Sequence, residues 1–109
     1  LVVADPRLGG AAPPGLQPLP GARAEARDVA AAYRVSRTVD GEGATIASFL
    51  TALDGAAVVH FAGHGVFDDE RPTRSRLLLA PGPAGGSAGD AAGELTAARV
   101  ASLDLRGTH

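Results

Sequence analysis

A chain of 109 residues and 10.8 kDa has room for one domain, and with 45% hydrophobic but only 4% aromatic residues its core must be built from Ala, Val and Leu. Ten Arg against twelve acidic residues give a net charge of −2 with no basic stripe, which excludes nucleic acid as an expected partner. The absence of Lys removes a Walker phosphate loop, Schiff-base chemistry and a Ser–Lys dyad, while the absence of Cys removes disulfides, thiolate metal sites and a cysteine nucleophile within these residues.

No apolar run approaches the ~20 residues of a membrane span, and no basic segment followed by an apolar one marks a signal peptide, so a soluble, cytoplasmic protein is expected. The chain lacks Met and opens on Leu1-Val2-Val3-Ala4, as though cut at the edge of a strand, and both ends are expected to be excision points. That opening run is short, branched and uninterrupted, which suits a strand buried on both faces, and Asp5-Pro6 stops it. From Gly9 to Gly21 the chain is Gly, Pro and Ala with isolated Leu, a composition that reads as a surface connection. The period then changes: Ala22, Ala26, Val29, Ala30 and Tyr33 recur at offsets of three and four, predicting an amphipathic helix over 22–34.

Val35 to Val39 alternates like a strand, and Gly41-Glu42-Gly43 turns the chain toward a second helix, capped by Thr45 and carrying Ile46, Phe49, Leu50 and Leu53 as its apolar stripe. Asp54-Gly55 ends it. Ala56 to Ala62, with Val58, Val59 and Phe61, is the strongest central-strand signal and terminates at Gly63-His64-Gly65. Strand and helix in alternation predict an open, mostly parallel α/β sheet with right-handed crossovers. Beyond Gly65 a charged loop through Pro72 leads to a short strand, Arg76 to Ala80. The stretch 81–93 is Gly/Ala/Pro-rich and reads as a flexible insert, 94–103 as a last helix with Thr96 as its cap and Leu95, Val100 and Leu103 inward, and 106–109 as a turn.

Each candidate chemistry has a plain alternative. His60 and His64 are offset by four, but Phe61-Ala62-Gly63 supplies no Glu between them and the flanking glycines oppose a helix. In a strand the two rings stand ~13 Å apart, too far to share a ligand, so no metal is expected. His60 reads as a structural histidine satisfied by a neighbour. His64 falls at the carboxyl end of a strand, where open parallel sheets place their ligand crevice, and between glycines that permit a sharp exit and close approach. There it reads either as a general base, with the amide of Gly65 aimed at a developing oxyanion, or as a surface histidine in a glycine turn. Gly85-Gly86-Ser87-Ala88-Gly89 matches the nucleophile elbow literally but lacks its strand-to-helix context. Gly41-Glu42-Gly43 begins a dinucleotide fingerprint in which Ile46 replaces the third Gly, so no cofactor is expected. Asp68-Asp69-Glu70 reads as a solvated loop rather than a cation site.

The block Val58-Val59-His60-Phe61-Ala62-Gly63-His64-Gly65, followed by Phe67-Asp68, Pro72, Ser75 and Leu77-Leu78-Leu79-Ala80, strongly resembles the CHAT domain, a caspase-like family often found behind tetratricopeptide repeats. Ala4-Asp5-Pro6, Leu19-Pro20-Gly21-Ala22, Glu25-Ala26, Ala44-Thr45, Phe49-Leu50 and Glu94-Leu95-Thr96 fit the same progression across the chain. The resemblance implies a caspase–hemoglobinase type fold, a protein or peptide substrate, sensor domains such as tetratricopeptide repeats as partners, and a Cys–His dyad for peptide hydrolysis. In that mapping His64 is the catalytic histidine and Gly65 gives an oxyanion-hole amide. The nucleophile of such domains follows the next core strand, and this chain stops at His109, so residues 1–109 are expected to be the amino-terminal portion of a single domain, inactive alone. The alternative is a caspase-like interaction module that performs no chemistry.

Overall fold

The computed structural model describes residues 1–10 and 12–106. Its centre is a three-stranded parallel sheet of order β2-β1-β3, formed by β1 (Val2–Pro6), β2 (Thr38–Gly41) and β3 (His60–Ala62). β1 lies in the middle because it is the one segment apolar on both faces, as its unbroken Val-Val-Ala run predicts. Val2 and Ala4 turn to one face and pack on Ala26, Val29 and Ala30 of α1 (Ala22–Ala31), whereas Val3 turns to the other and joins Ile46 and Phe49 of α2 (Ile46–Leu53). Right-handed crossovers through these helices are the standard way to join parallel strands.

α2 begins as the sequence predicts, with the Thr45 hydroxyl accepting from the Ser48 amide at 3.1 Å. It ends at Asp54, and Gly55 then takes φ +71.

Three expectations need correction. Pairing in β2 starts at Thr38 rather than Val35, since Val35 is 89% exposed and has no core to face. β3 is confined to His60–Ala62, because its pairing begins opposite Val2, the first residue of β1, and upstream the Leu1 amino group, ahead of β1, donates to the Val58 carbonyl. Asp5-Pro6 does not end β1. Asp5 takes φ +43 as the extra residue of a bulge, and pairing resumes at Pro6 with Gly41.

The later strands do not extend the parallel sheet. β4 (Gly65–Val66), β5 (Arg76–Leu78) and β6 (Glu94–Thr96) form a separate antiparallel sheet of order β4-β5-β6. The helix expected over 94–103 is correspondingly short: Leu95 pairs with Leu77 and is 1% exposed, so burial draws Glu94–Thr96 into the sheet. Thr96 still caps what remains, α4 (Ala97–Ala101), by accepting from the Arg99 amide at 3.1 Å. Within 81–93 the chain forms α3 (Ala88–Ala92), closed by Gly93 at φ +75. A side chain at Gly93 would stand 2.2 Å from the Leu79 carbonyl oxygen. Leu79 and Leu95 carry the core of Val3, Ala44, Ile46 and Phe49 across to the second sheet. The turn expected at the end lies outside the described residues from Gly107 onward.

Candidate active site

β3 delivers the chain to the site, and its register decides which way the histidines face. His60 is paired with Val2 and Ala62 with Ala4, the two β1 positions that face α1. His60 therefore meets α1, where its Nε2 lies 2.7 Å from Glu25 Oε1 on a half-exposed pair. Its partner is a side chain of the fold, in keeping with a structural role.

His64 follows two residues past Ala62, beyond the carboxyl end of β3. The reason the chain bends there is Gly63. A Cβ at that position would sit 2.7 and 2.9 Å from the ring of Phe61 and 3.1 Å from Pro6, so only glycine lets the strand leave this closely over β1. The ring of His64, half-buried, then reaches the segment leading into α1, with Nε2 2.7 Å from the Gln17 carbonyl oxygen. A carbonyl only accepts, so Nε2 carries the proton. In the neutral ring the lone pair is consequently on Nδ1, which is the nitrogen able to take up a proton. The Gly/Pro connection thus supplies a contact that composition does not reveal, because the group involved is main chain.

The backbone of His64 is fixed from the other side. Leu78 donates its amide to the His64 carbonyl at 2.9 Å. With Gly65 paired to Leu77 in an antiparallel ladder, that bond makes Gly65–Leu77 a non-hydrogen-bonded pair, so the Gly65 amide points away from β5 toward the open edge. A Cβ at Gly65 would meet only ordinary contacts, 3.6 Å to Leu77 and 3.7 Å to the Arg76 oxygen. Glycine at 65 is thus not demanded by space, unlike glycine at 63.

An open cleft of about 920 Å³ lies at the carboxyl ends of β1 and β2 and includes His64, Gln17, Leu19, Asp5 and Arg7. This is where an open α/β sheet binds its ligand. The cleft carries both signs of charge: Arg23 Nε donates to Asp5 Oδ2 at 2.9 Å, and Arg7 pairs with Glu42. A second concavity, of about 280 Å³ and lined by Leu1, Tyr33, Val58 and His60, opens at the amino ends of the strands, away from His64.

The family model for the CHAT domain matches residues 1–109. The chain belongs to the CHAT domain family. No curated protein matches the chain. The family is caspase-like and peptidase-related, and the parallel sheet with helices on both faces is consistent with a caspase-like fold.

Other candidates in this CHAT domain have structural occupations. Ser87 is the N-cap of α3, its hydroxyl accepting from the Asp90 amide at 3.2 Å, and no strand runs directly into it as a nucleophile elbow requires. Asp68 accepts from the Arg71 amide at 2.8 Å, and among the described residues no group of three His, Cys, Asp or Glu is placed to hold a metal ion. No helix among the described residues is long and apolar enough to cross a membrane. Sequence reasoning missed Gln17, whose carbonyl orients the ring. It also missed the separate reasons for glycine at 63 and 65, which the Gly-His-Gly pattern does not distinguish.

Proposed function

We propose that the CHAT domain contributes the histidine half of a cysteine peptidase site, with His64 as general base and acid and Gly65 as an oxyanion donor. The observation that carries this reading is the bond from His64 Nε2 to the Gln17 carbonyl, between two residues that line the cleft, which leaves Nδ1 as the nitrogen able to accept a proton. A free thiol has a pKa of ~8.5 and is largely protonated at neutral pH. His64 Nδ1 takes the thiol proton, the sulfur attacks the peptide carbonyl carbon, and the resulting oxyanion accepts from the Gly65 amide. Collapse breaks the C–N bond as the imidazolium returns its proton to the departing amine. Water then cleaves the thioester, with the same ring taking and returning a proton. None of the 109 residues is Cys, so on this reading the sulfur comes from another segment of the natural protein.

The test is peptide cleavage by the full-length natural protein carrying His64→Ala. Loss of a general base predicts a fall of roughly 10²–10⁴ in kcat. Equal rates remove His64 from the chemistry. The absence of Cys also fits the alternative, an interaction module with a caspase-like sheet and no catalysis. A natural protein with Ser, Ala or Gly in place of a Cys after its next core strand decides for that alternative.

A further inference from the structure

We infer that this chain associates with a second copy of itself, the exposed ring of Phe67 on one copy entering the concavity between Tyr33, Val35 and Val58 on the other. The association is independent of the peptidase reading above.

Four large apolar side chains are exposed among the described residues: Tyr33, Val35, Val58 and Phe67. Scattered singly, such residues are ordinary on protein surfaces and signify nothing. Three of them are gathered, since Tyr33, Val35 and Val58 all line the concavity of about 280 Å³ at the amino ends of the strands. Val35, 89% exposed, meets no layer of its own chain there.

The concavity also carries unmatched positive charge. Arg37, one of its lining residues, is held at both ends: its carbonyl accepts from the Val2 amide at 2.7 Å, and its guanidinium donates to the Asp54 carbonyl. Neither Arg37 nor Arg34, which adjoins Tyr33 and Val35 in the chain, has a carboxylate partner among the described residues. The acid paired with His60 is Glu25, already engaged at 2.7 Å. Tyr and Arg beside an apolar recess are the composition of an interface core. Its complement is an apolar ring followed by carboxylates.

The chain itself carries that complement. Phe67 is 86% exposed, lines no part of the concavity, and is followed at once by Asp68-Asp69-Glu70, the next base being Arg71. Asp68 braces this loop, its amide donating to Ser75 Oγ at 3.0 Å and its Oδ1 accepting from the Arg71 amide at 2.8 Å. Asp69 and Glu70 are left exposed, with no ion pair among the described residues. A braced loop keeps the ordering cost of association low. The ring fills the recess against Tyr33 and Val58, and the free carboxylates meet Arg34 and Arg37. Knob and recess are different surfaces, so the contact is heterologous, and its small size makes the association weak and concentration-dependent.

Sedimentation velocity of the full-length natural protein over about 10–1,000 µM tests it. Wild type is expected to associate as concentration rises, and Phe67→Ala and Val35→Asp are each expected to weaken association about tenfold. Both side chains are exposed, so the fold is expected to persist in each variant, which circular dichroism checks. The decisive sample is the equimolar mixture. Phe67→Ala keeps the recess and Val35→Asp keeps the knob, so mixing restores one contact, and a mixed pair forms at concentrations where neither variant associates alone. Wild type that stays monomeric overturns the inference and leaves the recess to a different partner. Association that both variants retain, or that the mixture fails to restore, overturns it as well.

Discussion

Gly63 and Gly65 flank the same histidine and are glycine under different constraints. At 63 a methyl group collides with the Phe61 ring and Pro6, while at 65 it reaches nothing closer than 3.6 Å. Gly63→Ala is therefore expected to destabilise the fold by about 1–3 kcal/mol through overpacking, with a matching fall in the denaturant midpoint. Gly65→Ala is expected to leave that midpoint nearly unchanged. A Gly65→Ala variant as unstable as Gly63→Ala would contradict the room found for a methyl group at position 65. The Gly-His-Gly pattern made the turn legible in the sequence, and the position of His64 at a strand end followed from it. The difference between the two glycines was not legible, since it depends on Phe61 folding back over its own strand and on Pro6 of a neighbour.

Helices and strands here start where capping residues place them, and stop where burial decides. Thr45 announces α2 and Thr96 announces α4 in the sequence, and both hydroxyls accept the amide three residues on. Thr45→Ala is expected to cost about 1 kcal/mol, a drop of roughly 4–8 °C in Tm for a domain of this size. Thermal scans of wild type, Thr45→Ala and Thr45→Ser measure it, and Ser is expected to recover most of the loss. The periodicity of 94–103 suggested one helix, and its first three residues became β6. That outcome was invisible locally because it is set by β5, whose free edge offers hydrogen bonds and whose Leu77 offers Leu95 a partner. Likewise Val35–Val39 alternates well enough for a strand, yet Val35 has no partner layer, so pairing waits until Thr38.

For the molecule as a whole, the decisive residues are those that tie two small sheets into one body. Val3, Ile46 and Phe49 belong to the parallel layer, and Leu79 and Leu95 join them from the antiparallel side. With so few aromatic residues, the loss of one large aliphatic side chain removes a large share of what holds the layers together. Leu95→Ala is expected to cost about 2–5 kcal/mol, and because β6 belongs to the layer that clamps the His64 carbonyl through Leu78, the loss should loosen the site too. Hydrogen exchange at the Leu78 amide reads this directly: faster exchange in Leu95→Ala is expected, and unchanged protection there would show that the sheets are energetically independent. The alternating order of strand and helix revealed the parallel half of the architecture early. The second sheet stayed hidden because two of its strands, Gly65–Val66 and Glu94–Thr96, are too short to carry a periodic signal.

The grip on the imidazole through the Gln17 carbonyl has a consequence for how such a domain tolerates change. Every amino acid brings the same oxygen, so position 17 is free to vary in identity while the ring keeps its tautomer. What cannot vary freely is path length: one residue added to or deleted from the ribbon between β1 and α1 would carry that oxygen out of reach.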